Sequence, residues 1–439
     1  MISMIGLIGG LLLLTILVMR GMNLLVVAPL SAFFVALLNG VPLFPQLAKG
    51  EEVDFITGYM TGFAGFITSW YLMFLAGAIF GKVMEDSGAA DSVSEWILSK
   101  LGRDRAVLAI IIACAVLTYG GVSLFVVAFA VYPMAVSLFK EANFPRRFIP
   151  AALAFGSTTF TMTSAGSPEI QNWIPIPYLN TSPYAAWEVS LVVAVVMMII
   201  GYMWLMWMIK RAIGKGEHFI ERGTDHREKR DSLPNPIISI LPLISVLVVS
   251  FIFHDKYEQY ALILALLSGI IVTWILNRKY FRNFWQAVGE GTEGALIAIG
   301  NTSAVVGFGG VAKITPAFDT AVNALTDLPG NPLIGGAFAI MIIAGLTGSS
   351  SGGQTIALPI LAPHYLDMGV NAEALHRTVS LSSGTLDSLP HGGYAVTTIR
   401  SISGETHKDA YPAFGAMTVL VPIIGVVVAV ILFAFGFGI

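Results

Sequence analysis

Residues 106–139 read AVLAIIIACAVLTYGGVSLFVVAFAVYPMAVSLF. The run is apolar throughout and roughly 34 residues long, about 50 Å of helix at 1.5 Å per residue. A bilayer offers only ~30 Å of hydrocarbon. The middle of the run holds Tyr119-Gly120-Gly121-Val122-Ser123, small and polar residues that interrupt a helix. Each limb is then ~20 Å, enough to reach the membrane midplane and return. Residues 106–139 therefore read as a re-entrant helical hairpin, with a single tilted and kinked span as the alternative. Residues 332–365 repeat the design, with a break at Thr347-Gly348-Ser349-Ser350-Ser351-Gly352-Gly353-Gln354.

The rest of the chain agrees with a membrane setting. Of 439 residues, 56% are apolar and 12% are charged, against about 25% charged in soluble domains. That balance excludes a water-soluble globule, a disordered chain and a nucleic-acid binder. Further apolar runs fall at 2–19, 23–38, 55–80, 187–209, 234–253, 261–276, 284–311 and 411–437. The polar stretch 82–105 reads as an amphipathic helix at the interface. The expected fold class is an all-α polytopic membrane protein with about ten transmembrane helices plus two hairpins. Cys114 is the single cysteine, which excludes disulfides and a cysteine-based metal site. No basic residue precedes the first apolar run, so no cleavable signal peptide is expected.

The runs after each hairpin, 148–179 and 378–399, are also interrupted. The first carries Gly156-Ser157-Thr158-Thr159 and Ser164-Ala165-Gly166-Ser167-Pro168. The second carries Ser382-Ser383-Gly384-Thr385-Leu386-Asp387-Ser388-Leu389-Pro390-His391-Gly392-Gly393. Non-helical backbone at membrane depth survives only where protein or a water-filled cavity satisfies it, so these breaks should face inward.

Charge sets the expected orientation. With the N-terminus outside, Arg20, Arg103, Arg105, Lys140, Arg146, Arg147, the basic segment 210–233, Arg278, Arg400 and Lys408 all fall on the cytoplasmic side. Both termini are then extracytoplasmic, in a cell (inner) membrane. Residues 1–209 and 234–439 share one order of elements in opposite orientations, joined by the cytoplasmic linker 210–233. Inverted-topology repeats of this kind mark secondary transporters.

The enzyme motifs His-Glu-x-x-His and Gly-x-x-x-x-Gly-Lys-Ser/Thr are absent, and no catalytic constellation replaces them. Gly307-Phe308-Gly309-Gly310 reads as close helix packing through small residues. The four breaks carry the candidate substrate-binding residues. These are Thr118, Tyr119, Gly120, Gly121 and Ser123 at the first hairpin tip, and Gly348, Ser349, Ser350, Ser351 and Gly352 at the second. Gly156, Ser157, Thr158 and Thr159 belong to one broken span, and Ser383, Gly384 and Thr385 to the other. Half-helix N-termini suit a carboxylate, while carbonyl ends suit Na⁺ or a proton carrier. Hydroxyls that merely bond between helices are the plainer alternative.

Asp387, deep in its span beside Pro390 and His391, is the sharpest residue for ion coupling, because an intramembrane carboxylate is functional by default. A structural cap on a broken-helix amide is its alternative. His391 is a pairing candidate. Glu169 and Asn172 face the same cavity or else cap a loop. Arg377 could be a buried anion clamp, but its place at the head of its span favours an interfacial anchor.

These signatures resemble the gluconate permease family of organic-acid/proton symporters, within the ion-transporter superfamily. The resemblance rests on Ser383 through Gly393, on Gly404-Glu405-Thr406-His407-Lys408, on Gly156-Ser157-Thr158-Thr159-Phe160-Thr161, and on Pro168-Glu169-Ile170-Gln171-Asn172. It implies uptake of gluconate-like sugar acids, hydroxybutyrate-type short acids or D-serine. It also implies a homodimer that moves a transport domain past a scaffold as an elevator. Asn301-Thr302-Ser303-Ala304-Val305-Val306-Gly307-Phe308-Gly309-Gly310 departs from the gluconate branch toward the short hydroxy-acid branch.

Driving a monoanion into a negative-inside cell opposes ~2.3 kcal/mol per 100 mV, which one co-transported cation cancels. The expected partners are thus a small carboxylate, a coupling cation and the lipid bilayer, with no cofactor unless Na⁺ replaces H⁺ as the coupling ion. A passive organic-anion channel is the rival.

Overall fold

The computed structural model describes residues 2–20, 22–50, 52–101, 105–122, 124–221, 232–257, 260–318, 320, 331–390 and 392–438. Ser123 and His391, both expected at the site, lie outside the described residues. All regular structure within them is helical.

The first half runs α1 (Ile2–Met19), α2 (Leu24–Leu38), α3 (Phe55–Asp86), α4 (Ala89–Leu101), α5 (Ala106–Tyr119) and α6 (Leu124–Glu141). It continues with α7 (Ile149–Ala154), α8 (Ile176–Leu179) and α9 (Trp187–Ile213). The second half runs α10 (Pro236–Tyr257), α11 (Ala261–Leu276), α12 (Phe284–Lys313), α13 (Pro332–Thr347), α14 (Ser350–Asp367) and α15 (Ala372–Leu386). It ends with α16 (Gly393–Val396), α17 (His407–Gly415) and α18 (Val421–Ala434).

Six helical segments are long and apolar enough to cross a membrane among the described residues: Phe55–Asp86, Trp187–Ile213, Pro236–Tyr257, Ala261–Tyr280, Phe284–Lys313 and His407–Ala434. The shortfall from the expected number has a simple origin. The remaining apolar helices, including Leu24–Leu38 and Ala106–Tyr119, are shorter, and the two broken runs do not form continuous helices.

The long helices α3 and α12 pack along each other through glycine. A Cβ added at Gly62 would lie 2.5 Å from the Val306 carbonyl oxygen, and one at Gly310 would collide with the Gly58 carbonyl. Small residues let two backbones approach at this distance, the packing expected of Gly307–Gly310. Helix α2 lies against α12 and α11 against α3, while α1 pairs with α2 and α10 with α11.

Both overlong runs are helix–turn–helix units. Helices α5 and α6 pack together across a turn containing Gly121, whose φ of +92° is open to glycine. Helices α13 and α14 pack across Gly348, which has φ +62°. Their limbs close tightly, since a Cβ at Gly353 would sit 2.6 Å from Ala344 Cα. The segments flanking the first unit both touch the ends of the linker. Ser92 Oγ donates to the Pro234 carbonyl at 2.6 Å, and Arg147 pairs with Glu217 at 2.6 Å.

The stretch expected as one interfacial helix, 82–105, divides. Its first turn extends α3 to Asp86, Gly88 turns the chain at φ +71°, and α4 follows. Ala89, Ala90, Val93 and Ile97 are buried on one face of α4, whereas Trp96 is exposed. Helix α7 passes into a widened π-turn at Phe155–Thr159 and then into irregular backbone. Helix α15 loses helical geometry at Gly384 (φ −85°, ψ 22°) and ends at Leu386.

Candidate functional site

The interruptions converge on one cavity of about 300 Å³. The first hairpin contributes Gly121 and Leu124, and the second contributes Gly348, Ser349, Ser350 and Ser351. The first broken run adds Thr158, Met162, Pro168, Glu169, Ile170 and Gln171; the second adds Asp387, Ser388, Gly393 and Tyr394. The unbroken helices close the other side, with Met73, Phe74, Gly77 and Ala78 from α3 and Ala298, Asn301, Thr302 and Val305 from α12.

The second hairpin tip is built to present amides. Gly348 ends α13 in left-handed geometry, and Ser349 turns extended as the N-cap of α14, its hydroxyl accepting from the Gly352 N–H at 3.2 Å. The first turn of an α-helix has N–H groups without intrahelical partners and carries partial positive charge. At α14 that turn forms part of the cavity wall. Helix α6 likewise begins at the cavity, with Leu124.

Two carboxylates, Asp387 and Glu169, also line the cavity. Asp387 follows the last residue of α15, the carbonyl end of that half-helix, and accepts from Ser388 Oγ at 3.1 Å. Helix α16 is capped by Gly392 instead, so Asp387 does not cap a broken-helix amide there. Glu169 sits in the irregular stretch before α8. No Lys or Arg lines the cavity among the described residues, and neither carboxylate has an ion-pair partner among them. A carboxylate beside a helix carbonyl end, as Asp387 is, favours a proton or a cation. The cavity thus offers a positive helix end to an anion and two acidic groups to a cation.

Residues 11–300 match the family described as citrate transporter. The chain belongs to that family. It is 35% identical to the uncharacterized transporter YxjC of Bacillus subtilis, over 91% of this chain and 92% of the relative. It is 22% identical to the high-affinity gluconate transporter of Escherichia coli K12, over 91% and 93% of the two chains. The crystal structure of the YdaH transporter of Alcanivorax borkumensis superposes with a TM-score of 0.58 at 12% identity, covering 97% of this chain and 99% of that one. That likeness concerns the fold. Together these relatives make the protein a multi-pass membrane transporter and not an enzyme, in keeping with the gluconate permease resemblance.

Several expected site residues of this family member sit in the packing around the cavity and do not line it. Gly156 packs so closely that a Cβ there would collide with the Ile111 carbonyl, and Gly120 meets Leu243 in the same way. Tyr119 donates to the Ala165 carbonyl at 2.6 Å, Ser157 to Leu153 at 2.9 Å, and Thr159 to Met417 at 2.8 Å. Thr118 is buried with no hydrogen-bond partner among the described residues. Gln354 Nε2 donates to Ser383 Oγ at 2.7 Å, and Thr385 donates to the Ser382 carbonyl at 2.5 Å. Gly384 lies against Thr163, and Gly352 faces Thr302 just behind the lining serines.

Asn172 belongs to a different structure. Its Oδ1 accepts from Arg377 Nη1 at 2.8 Å, and its amide donates to the Pro183 carbonyl at 2.7 Å. Arg377 is fully buried, which corrects its reading as an interfacial anchor. Its guanidinium also donates to the carbonyls of Thr163 (2.7 Å), Ala185 (2.9 and 3.0 Å) and Pro183 (3.3 Å). With all its directed donors engaged by protein, it is a structural fork.

The cavity also contains residues that the motif reading did not assign: Asn301, Thr302, Ser388 and Tyr394. Asn301-Thr302 was visible as a polar pair inside an apolar run. Its orientation toward the hairpin tips was not.

Proposed function

We propose that the protein imports a small organic carboxylate, a hydroxybutyrate-like or gluconate-like hydroxy acid, by symport with H⁺ or Na⁺. The observation that carries this reading is the cavity itself. It joins a helix N-terminus suited to a carboxylate with Glu169 and Asp387, and no basic side chain lines it among the described residues. An anion entering beside two carboxylates needs compensating positive charge, so co-binding of a cation or proton is built into the electrostatics. The family description names citrate and one relative is a gluconate transporter; both acids are hydroxycarboxylates, which supports the class.

The two halves, 1–209 and 234–439, act as inverted repeats around the linker 210–233. The hairpins and broken runs form a transport body, while α3 and α12 with their neighbours form the scaffold of a homodimer in the inner membrane, both termini outside. Transport follows an elevator course, the body sliding along the scaffold. Proton coupling is favoured because the two acidic groups can each carry a proton without a preformed metal shell.

Reconstituted protein in proteoliposomes tests the proposal. Labelled 3-hydroxybutyrate, gluconate and citrate are offered with a pH gradient, a Na⁺ gradient or neither. Concentrative uptake under one imposed gradient is expected. Non-saturating flux independent of both gradients would make the protein a channel.

A further inference from the structure

The wall of the cavity formed by α12 differs in chemistry from the wall formed by α3. Ala298, Asn301, Thr302 and Val305 follow the i, i+3, i+4, i+7 spacing that places residues on one helix face, and all four line the cavity. Helix α3 contributes Met73, Phe74, Gly77 and Ala78, which offer no hydrogen-bonding side chain. Polar recognition from the unbroken helices therefore falls to α12.

The amide of Asn301 has no hydrogen-bond partner among the described residues, although it lies, with Thr302 and Ser303, in a mostly apolar stretch of helix. An amide presents two donors and an acceptor, and at this half-buried position on the cavity they are free to meet a ligand. Thr302 stands next to it and close to the second hairpin tip: a Cβ at Gly352 would lie 3.8 Å from the Thr302 methyl. The Thr302 hydroxyl donates to the Ala298 carbonyl at 3.2 Å, and the Thr158 hydroxyl donates to the Ala154 carbonyl at 2.9 Å. With their protons engaged in their own helices, both hydroxyls turn lone pairs outward and call for a donor on the ligand.

We propose that Asn301 is the specificity-determining residue of this site, reading a hydroxyl on the carbon chain of a carboxylate held at the hairpin tip. A hydroxyl is the group that matches it. It donates to one of the threonine oxygens or to the Asn301 carbonyl, accepts from the Asn301 amide, and brings no charge into a wall that has none. The inference rests on the carboxylate reading of the cavity.

The test compares hydroxy acids with their deoxy counterparts: 3-hydroxybutyrate with butyrate, gluconate with 2-deoxygluconate, citrate with tricarballylate. Proteoliposome uptake gives kcat/KM for each member, and thermal stabilisation of the purified protein by each acid gives the same comparison without turnover. A site that hydrogen-bonds a hydroxyl rejects the analogue lacking it, so wild-type protein should prefer the hydroxy member of its best pair at least ~10-fold. Asn301→Leu should bring that ratio to within ~2-fold of one, and Asn301→Ser should retain part of the preference. An Asn301→Leu ratio equal to that of wild type overturns the assignment, as does a wild-type ratio near one. Equal loss of both members in uptake and in stabilisation overturns it too, because a structural role removes both. Wild-type protein that takes up none of the six acids defeats the carboxylate reading itself, which separates that failure from this one.

Discussion

Arg377 Nη1 donates to Asn172 Oδ1 at 2.8 Å, and this bond ties the half-helix α15 to the irregular chain of the first broken run. The two residues come from opposite halves of the sequence and are both fully buried. Around them the carbonyls of Thr163, Pro183 and Ala185 complete the coordination of the guanidinium. Backbone that leaves the helix cannot satisfy itself, and a planar fork with five N–H donors can satisfy several carbonyls at once.

Arg377→Leu should therefore destabilise the protein strongly. Each abandoned buried acceptor costs ~1–3 kcal/mol, so the thermal midpoint of the purified protein should fall by many degrees. Arg377→Lys should recover little, since a point ammonium cannot span the same fork. A midpoint near wild type for the Lys variant would refute this role.

The hairpins were legible because their runs are too long for one crossing and too short for two, with glycine in the middle. Asp387 was legible because a carboxylate in an apolar run has few benign explanations. The Arg377 fork was not, because its acceptors are carbonyls of irregular chain at 163, 183 and 185 and the side chain of Asn172 on a short 3-10 turn, and no periodicity predicts where these point. The same limit explains why Asn172 looked like a cavity residue. Its neighbour Gln171 lines the cavity while Asn172 faces the fork.

The α3–α12 contact yields a prediction with its own control. Gly310→Ala places a methyl against the Gly58 backbone, which cannot swing aside as a side chain does. Overpacking of this kind typically costs ~1–3 kcal/mol. Gly65→Ala, on the same helix pair but with nothing within 4 Å of the new methyl, should be neutral or better. Equal midpoints for the two variants would show that the close approach is not limiting.

Orientation can be read with single cysteines. Lys215 and Glu52 are both exposed. Cys114 is fully buried, so impermeant maleimide should leave it unlabelled in the folded protein. Lys215→Cys should label only from the cytoplasmic face and Glu52→Cys only from outside. The reverse pattern would invert the proposed topology.

Arg147 grips Glu217 through both carboxylate oxygens, at 2.6 and 2.9 Å. Its hydrogen bonds hold the Glu217 carboxyl below the usual carboxylate range. A carboxylate with a depressed folded pKa contributes stability above its unfolded value, about 4.3, and loses it as pH falls through the folded value. Both side chains are partly exposed, so the contribution should stay under ~1 kcal/mol and shrink with salt. The midpoint difference between wild type and Glu217→Gln should be small at pH 7 and vanish in acid. A difference that grows on acidification would contradict the pairing.

Asp387 and Glu169 share the cavity, and their variants separate the two coupling schemes. Asp387→Asn keeps the shape and the bond with Ser388 but removes a titratable charge at the carbonyl end of α15. If protons couple transport there, this variant should still exchange labelled substrate across the membrane at equal concentrations. It should fail to concentrate substrate under an imposed pH gradient, a loss of at least ~10-fold in accumulation, because one proton stoichiometrically contributes ~1.4 kcal/mol per pH unit. If Na⁺ couples transport, the variant should instead lose the Na⁺ dependence of substrate binding. Glu169→Gln serves as the companion: accumulation retained in one variant and lost in the other assigns coupling to the sensitive carboxylate. Wild-type accumulation in Asp387→Asn and Glu169→Gln alike, under both gradients, would remove ion coupling from this pair and leave the cavity an anion site with a counter-charge from elsewhere.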